Sequence, residues 1–402
     1  MNIIFIADVS IAEVSGGAER CLYEQSTRLS HKGHHTHILT RRLPNHDSDY
    51  EVVNGVNEWR YGCNLGNPAT FLKATRSNTK ELFERLHKKY HFDCINFHQP
   101  FTALGINRSK MSGRVPKVYT CHSLSFEEFR SRNAGQPHIL HKALNYFQLF
   151  ARLKIEKKGL SQSDKIVTLS KFTQRKLVDT YNIPEAKIQI IPGGVDLEKF
   201  HPATDKAKIR AALNFPRDDI VLFTVRNLVQ RMGLENLIIA FNTLAKKCED
   251  IRLVIGGKGP LENGLIALAR SFNIEDKVHF TGFIPEDRLP LYYQMADLFV
   301  LPTKELEGFG LVTLEAMASG LPVIGTPIGG TKEILGNFDA EFLFEDTQPD
   351  SIAKLALEKC HIIKNNPQYW QQISDRCRQF VEKHYSWEQN VNSLEKLFLS
   401  CI

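Results

Sequence analysis

Two carboxylates separated by a glycine turn are the residues of this chain whose types and spacing point most directly to chemistry. Glu307 begins the turn EGFG, and Glu315 lies within the helix that is predicted to follow it. The apolar run from Asp297 to Leu301 precedes the turn and predicts a buried strand of a parallel sheet. The first N–H groups of a helix suit phosphate or hydroxyl oxygens, and carboxylates accept hydrogen bonds from hydroxyls. A nucleotide sugar would meet both requirements.

The same pair has an ordinary alternative, in which Glu307 favours the helix dipole and Glu315 is a solvated helix residue. The longer stretch around the pair favours the first interpretation. EGFGLVTLE, together with ADLFVLP and LEAMASGLPVIGT, resembles the retaining glycosyltransferases of family 4, whose signature is two glutamates separated by seven residues. This resemblance implies an α/β protein of the GT-B fold, with two Rossmann-like domains that face each other across a cleft and a C-terminal helix that returns to the first domain.

The resemblance also implies a role for each residue of the turn. Glu307 would bind the hydroxyls of the donor sugar at the catalytic centre, and Glu315 would bind the ribose hydroxyls. The backbone N–H groups of Phe309, Gly310 and Leu311 would contact the sugar and the phosphate.

Two further strand ends in the N-terminal half carry candidate site residues. The glycines of SGGAER, Gly16 and Gly17, follow the predicted strand from Asn2 to Ala7, and His122 follows the predicted strand from Lys117 to Thr120. The glycine loop lacks GxGxxG spacing and would alone be read as a tight turn, but it resembles the family's loop near the diphosphate and the acceptor. His122, within TCHS, resembles the histidine that faces the donor sugar. It would be an orienting hydrogen-bond group; a structural histidine is the alternative.

The string RNLVQRMG resembles the family's diphosphate clamp, in which a lysine follows an arginine by six residues. Arg226 is the arginine, Met232 stands at the lysine position, and Arg231 is the adjacent cation. An arginine at a strand end suits bidentate contact with phosphate. A surface salt bridge is the alternative for either arginine alone. The resemblance further places the backbone of Phe283 and Ile284 beside the nucleobase.

The sequence assigns no metal and no cofactor apart from the donor substrate. Asp47 and Asp49 form an Asp-x-Asp pair that could hold a divalent cation, but no apolar strand leads directly into it, and a solvated loop is the favoured interpretation. The eight cysteines are scattered with no CxxC pair, which predicts free thiols in a reducing cytoplasm.

The length of 402 residues fits two domains of ordinary size. A strand over Ile188 to Ile191 and the break PGG mark the passage to the second domain, in a stretch that resembles the family's linker motif. We expect a first domain over residues 1–197, with a helix over 386–402 packing back on it, and a nucleotide-sugar-binding domain over 198–385. Four strand-and-loop units are predicted in the second half of the chain.

Charge is unevenly distributed along the chain. Residues 1–200 carry 29 Lys and Arg against 19 Asp and Glu, a net +10, and residues 201–402 carry 22 against 26, a net −4. A basic half suggests an anionic surface as partner, either a membrane leaflet or an anionic glycolipid. The helix predicted from His138 to Leu160 could lie on such a surface, although a core-packed helix is the favoured interpretation. Its predicted apolar side consists of Leu140, Leu144, Phe147, Phe150 or Ala151, and Ile155. No nucleic-acid recognition motif is present.

These observations predict a retaining, metal-independent glycosyltransferase that moves a sugar from a nucleoside diphosphate sugar to a hydroxyl of a glycan or glycolipid. The leaving diphosphate would be stabilised by Arg226, Arg231, helix N–H groups and the Gly16-Gly17 loop. We expect a cytoplasmic location with peripheral contact at the inner face of the membrane. Two rival functions are a nucleotide-sugar epimerase of the same fold, which would need no acceptor, and a non-catalytic nucleotide-sugar-binding module.

Overall fold

The computed structural model describes residues 1–13, 16–44, 46–63, 66, 68–133 and 139–402. The chain divides into two compact units, one comprising residues 1–193 and 387–402 and the other comprising residues 194–386. The boundaries predicted from the sequence, after residues 197 and 385, lie within a few residues of these. Both units alternate strands with helices.

The first unit begins with a strand, and its elements follow in the order β1 Asn2–Ile6, α1 Gly17–His31, β2 His35–Arg41, β3 Tyr50–Val53, β4 Val56–Tyr61, α2 Pro68–Tyr90, β5 Cys94–Phe97, α3 Ala103–Ile106, β6 Lys117–Cys121, α4 Ser125–Arg132, α5 Ile139–Ser161, β7 Lys165–Thr168, α6 Lys171–Tyr181 and β8 Ile188–Ile190. The second unit contains α7 Lys206–Ala212, β9 Ile220–Val225, α8 Leu234–Ala245, β10 Ile251–Gly256, α9 Glu262–Ser271, β11 Val278–Gly282, α10 Leu289–Met295, β12 Leu298–Leu301, α11 Leu311–Ala318, β13 Val323–Gly325, α12 Gly329–Phe338, α13 Pro349–Asn365 and α14 Pro367–His384. The last helix, α15 Trp387–Cys401, belongs to the first unit.

The first unit is built on an eight-stranded sheet of order β3-β4-β2-β1-β5-β6-β7-β8. Its strands pair in parallel except β3, which is antiparallel to β4. The central strands are apolar and fully buried because helices cover both faces of such a sheet. The C-terminal helix α15 packs in the same core as β1, with Phe398 against Phe5, and Gln25 of α1 donates to Asn390 Oδ1 at 3.0 Å. The predicted return of the last helix to the first domain is confirmed.

The hairpin of β3 and β4 was not predicted; the sequence favours a solvated loop around Asp47 and Asp49, and β3 begins directly after it at Tyr50. Its signal is the pair Asn54 and Gly55, which connects two alternating runs, and both residues have positive φ, 47° and 82°. An Asn-Gly pair favours the two-residue turn that joins antiparallel strands.

The predicted helix over residues 138–160 is present as α5, but two residues of the predicted apolar side, Phe147 and Phe150, do not face the core. Phe147 and Phe150 are 69% and 54% exposed, whereas Leu149 and Leu153 pack against the core. Leu160 also belongs to this core, so the side chains that face it recur at helical spacing through Leu149, Leu153 and Leu160. His138, the predicted start, lies outside the described residues.

The second unit has a parallel sheet of order β11-β10-β9-β12-β13. The prediction of four strand units missed the fifth strand, β13, which has only three residues and lies inside LPVIGT. The order of strands reverses at β9, which pairs with β10 on one side and β12 on the other. The loops that follow β9 and β12 therefore emerge side by side, at the kind of crevice where ligands bind in open α/β sheets.

The beginning and the end of the second unit are hydrogen-bonded to each other. Val195 donates its N–H to Tyr385 O at 2.9 Å and forms a parallel bridge with Ser386. Arg378 of α14 donates to Phe200 O at 2.6 Å and to Ala318 O at 2.9 Å, so it also ties the incoming chain to the end of α11. Among the described residues, no helix has both the length and the apolar composition that a bilayer span requires.

Candidate active site

The loops after β9 and β12 bring two predicted site residues into direct contact. An Nη2 hydrogen bond and ion pair joins Arg226 to Glu307 Oε2. Thr303 Oγ1 accepts from Arg226 Nη2 at 3.1 Å and donates to the same Glu307 oxygen at 3.1 Å. Residues 226 and 307 are far apart in sequence, and the strand order places them together. Glu307 is only 7% exposed, so its carboxylate is held inside this cluster and not in solvent.

Met232 lies against the same guanidinium. Its Sδ is 2.9 Å from Arg226 Nη2, and the side chain is buried. The family's lysine position is thus occupied by a thioether that packs beneath Arg226. The Arg226 Nε is also buried and, within the described part of the chain, has no hydrogen-bond partner.

The backbone of Glu307 is held by the first two residues of α12. Gly330 donates its N–H to Glu307 O at 2.9 Å. Gly329 has a φ of +60°, and a Cβ there would lie 1.9 Å from the same carbonyl oxygen. Only glycine permits this approach. The GG of PIGG therefore fixes the position of the first carboxylate.

Arg231 supports the same loop from the other side. It lies in a short 3₁₀ turn over Gln230–Met232, and its Nη1 donates to Leu306 O at 3.1 Å. Leu306 has a φ of +57°, an unusual conformation for a branched residue that precedes Glu307 directly. The Arg231 carbonyl oxygen accepts from Lys304 N at 2.8 Å. The structure thus places Arg231 on the backbone of the Glu307 loop, an arrangement that the sequence did not reveal.

The start of α11 has unfilled hydrogen-bonding capacity. Gly310 is the N-cap with a φ of +93°, and no side chain caps the helix. The Thr331 and Thr313 hydroxyls lie 2.8 and 3.2 Å from the place of a Cβ on Gly310. Both are fully buried and, among the described residues, without a partner. With the N–H groups of the first turn beginning at Leu311, this region suits an oxygen-rich ligand.

Glu315 is buried in α11, so the alternative of a solvated helix residue is wrong. It is 8% exposed, and its Oε2 accepts from Tyr293 OH at 2.9 Å. Burial, and then the charge of Glu315, raise the pKa of Tyr293 well above its ordinary value. Tyr293 therefore stays protonated and orients the carboxylate.

The remaining predicted residues of the second unit differ in exposure: Phe309 and Ile284 are buried, and Phe283 is exposed. Phe309 is buried with its ring centroid 6.1 Å from that of Tyr385. Phe283, just after β11, is 56% exposed, while Ile284 is buried beside Gly256. The edge predicted to border a nucleobase therefore carries one exposed aromatic ring.

The glycine loop of the first unit leads directly into α1. Gly16 is the N-cap in an extended conformation, and Gly17 is the first helical residue. Val14 and Ser15 lie outside the described residues. The chain after β1 is anchored by Glu58, a fully buried carboxylate that accepts from Ser10 Oγ at 2.7 Å and Ile11 N at 2.9 Å. Sequence reasoning missed Glu58, which lies on the unpredicted strand β4.

His122 lies at the carboxyl end of β6 and contacts a second histidine. Its Nε2 is 3.0 Å from Nδ1 of His98, which follows the adjacent strand β5. Burial lowers the pKa of His122 to about 4, and burial followed by the proximity of His122 lowers that of His98 well below its ordinary value. Both rings are therefore neutral near pH 7. His98 was not predicted as a site residue, although it follows a strand in INFHQP as His122 does in TCHS.

Asp47 and Asp49 lie on an exposed segment. Asp49 Oδ1 is 3.1 Å from Arg42 Nη1. Within the described residues no three His, Cys, Asp or Glu side chains form a group that could hold a metal ion. The eight cysteines are free thiols, as predicted.

The chain has two α/β units, and in the second a carboxylate pair and the start of a helix lie where the strand order reverses. This fold and site define a glycosyltransferase of the GT-B class. The model "Glycosyltransferase Family 4" matches residues 15–199, and the model "Glycosyl transferases group 1" matches residues 205–361. The chain belongs to glycosyltransferase family 4 and is a nucleotide-sugar-dependent enzyme, as the sequence resemblance implied.

Similar proteins include mannosylfructose-phosphate synthase of Agrobacterium fabrum, which is 27% identical over 79% of this chain and 72% of its own length. Among solved structures, sucrose-phosphate synthase from Thermosynechococcus elongatus has a TM-score of 0.80 at 22% identity and covers 99% of this chain and 98% of its own. Anabaena HepE, in complex with UDP and glucose, has a TM-score of 0.77 at 17% identity over 100% of both chains. These two likenesses show the GT-B fold.

Proposed function

We propose that this enzyme is a retaining, metal-independent glycosyltransferase that moves a sugar from a nucleoside diphosphate sugar to a hydroxyl of a glycan or glycolipid. The observation that carries the proposal is the cluster of Arg226, Thr303 and Glu307 beside the open start of α11. It combines a carboxylate that can accept hydrogen bonds from hydroxyls, a guanidinium cation and the N–H groups of the first turn of α11 within one loop region.

The ion pair makes the carboxylate compatible with a diphosphate. An unpaired Glu307 would repel the phosphate charges, whereas Arg226 neutralises it by contact with Oε2 and leaves Oε1 able to accept from sugar hydroxyls. In this proposal Glu307 binds the donor sugar and Glu315, oriented by Tyr293, binds the ribose. The N–H groups of Phe309, Gly310 and Leu311 contact the sugar and phosphate.

We assign stabilisation of the departing diphosphate to fixed charges and dipoles of the protein in place of a metal ion. Arg226 and the first turn of α11 are preorganised in the structure, as such a role requires. Arg231 fixes the loop that carries Glu307. For retention, the incoming hydroxyl attacks the face from which the diphosphate leaves, and a phosphate oxygen takes its proton.

The first unit is assigned to the acceptor side and to a peripheral membrane contact at the cytoplasmic face. Its net positive charge supports an anionic partner. Tyr146, Phe147 and Phe150 are exposed on α5, and Lys154 lies over the Phe150 ring at 5.2 Å. Exposed aromatic rings beside basic groups favour the interface of an anionic bilayer.

The test is a donor screen with UDP-, GDP- and ADP-sugars, in the presence of EDTA, with and without glycan and glycolipid acceptors. Release of the nucleoside diphosphate, together with an α-linked product from an α-linked donor, is the expected result. Conversion of the nucleotide sugar without an acceptor would identify an epimerase, and binding without turnover would identify a non-catalytic module. Glu307→Gln serves as the matched control.

A further inference from the structure

The contact between His98 and His122 restricts which nitrogen of each ring carries a proton. Their facing atoms, Nδ1 of His98 and Nε2 of His122, are 3.0 Å apart, a normal hydrogen-bond distance. A neutral imidazole has one N–H donor and one bare nitrogen acceptor. One proton must therefore lie between the two rings.

Two arrangements satisfy this requirement. If His98 Nδ1 donates, His122 must carry its own proton on Nδ1; if His122 Nε2 donates, His98 must carry its proton on Nε2. In either case both histidines are protonated at the same-named nitrogen. Opposite tautomers would face two lone pairs or two N–H groups against each other at 3.0 Å.

Among the described residues, the polar contact of the His98 side chain is the one with His122. The His98 ring is buried, with Phe5 packed edge-on at 5.7 Å between ring centroids. Its backbone N–H is fixed by Ile6 O at 2.9 Å. Within the described residues, His98 Nε2 and His122 Nδ1 are both buried without a hydrogen-bond partner. The pair therefore leaves one buried nitrogen on each ring without a partner, and the proposed function assigns the one on His122 to the sugar.

We propose that His98 is a positioning residue that holds the ring of His122 and couples the tautomer of His122 to its own, so that the state in which His122 Nδ1 meets a sugar hydroxyl is matched to that of His98. The catalytic part of this inference rests on the proposed function, because it takes His122 as the group that contacts the sugar. The coupling of the two tautomers does not depend on the proposed function; it rests on the 3.0 Å contact between two neutral rings. Neutrality of both rings, which burial enforces, supports the arrangement.

Two substitutions separate the coupling from simple loss of a histidine. In His98→Asn, an amide atom occupies the place of Nδ1 and can still pair with His122 Nε2. In His98→Gln, the amide reaches the place of Nε2 and cannot. We expect His98→Asn to keep kcat within about threefold of wild type and His98→Gln to lose about tenfold in kcat with little change in KM, the scale of one hydrogen bond. Thermal melting checks that both variants fold.

The independent test is nitrogen NMR of the full-length protein with selectively labelled histidines, at pH 7, with His98→Asn and His122→Asn used for assignment. The expected result is two neutral rings protonated at the same-named nitrogen, and a single His122 tautomer that persists in His98→Asn but becomes mixed in His98→Gln. Opposite tautomers, or an imidazolium on either ring, would overturn the coupling. Equal kcat for the Asn and Gln variants would overturn the positioning role.

The outcome also separates this inference from the proposed function. If His122→Asn turns over as fast as wild type while the tautomers are matched, the assignment of His122 to the sugar fails and the coupling stands. If the screen shows no transfer, the NMR result still decides the coupling.

Discussion

Substitution of Arg231 tests whether this residue acts through the Glu307 loop or directly on phosphate. Its Nη1 donates to Leu306 O at 3.1 Å, directly before Glu307. A hydrogen bond from a charged group contributes about 1.5–3 kcal/mol, which corresponds to a loss of about 10-fold to 100-fold if the loop must be ordered in the transition state. We therefore expect Arg231→Ala to lower kcat/KM by this amount.

Leu306 provides the second half of the test. Its φ of +57° is unfavourable by about 1–2 kcal/mol for a residue with a Cβ, and glycine adopts this conformation freely. If Arg231 acts by holding Leu306, then Leu306→Gly should restore a large part of the activity lost in Arg231→Ala. Arg252, a partly exposed arginine paired with Asp219 in the same unit, is the matched control, and Arg252→Ala should remain within about twofold of wild type.

The assay is kcat/KM for the single and double variants with the identified donor, together with the inhibition constant of the nucleoside diphosphate product. An unimpaired Arg231→Ala enzyme would refute the reasoning. So would an impaired variant that Leu306→Gly does not rescue and that binds the diphosphate product more weakly, since that pair of results assigns Arg231 to phosphate. Met232→Lys should give no rescue, because the new ammonium would be buried beside Arg226.

Three further predictions concern the carboxylates, the metal and the membrane. Glu307→Gln and Glu315→Gln should each lower the rate by about 10-fold to 100-fold with an unchanged circular dichroism spectrum; wild-type turnover in both would remove them from the site. Activity should survive EDTA, and loss that Mn²⁺ or Mg²⁺ restores would implicate Asp47 and Asp49. The protein should sediment with anionic liposomes less strongly as salt rises, and the double variant Phe147→Ser, Phe150→Ser should reduce this further; equal sedimentation with neutral vesicles would contradict the prediction.

Much of the fold followed from the sequence because the strands of a doubly wound sheet are short apolar runs with distinct ends. The strand predicted from Lys117 to Thr120 is observed as Lys117–Cys121, and the helix predicted to follow the EGFG turn begins at Leu311. The weaker predictions concern elements that local pattern defines poorly. A three-residue strand such as β13 becomes visible only through its pairing with β12.

In the candidate site, too, single residues could be predicted from the sequence, but the contacts between them could not. The sequence identified Glu307 and Arg226 separately, but their ion pair depends on strand order, which local spacing does not encode. The orientation of Arg231 towards Leu306 depends on a single turn. His98 was missed because its importance lies in its neighbour on the adjacent strand, a relation that only the folded sheet creates.

The bridge between Val195 and Ser386 has a consequence for how this enzyme could evolve by exchange of its second unit. Because the second unit starts and finishes at one point, residues 194–386 form a cassette inserted into a unit that is otherwise complete. Such a cassette can be exchanged with little disturbance of the host, since its two ends already lie together. A chimera that carries residues 194–386 of a relative should adopt the relative's nucleotide-sugar preference and keep the acceptor of this chain. New pairings of donor and acceptor would then arise by recombination at two junctions that are distant in the gene but adjacent in the fold, without redesign of either unit.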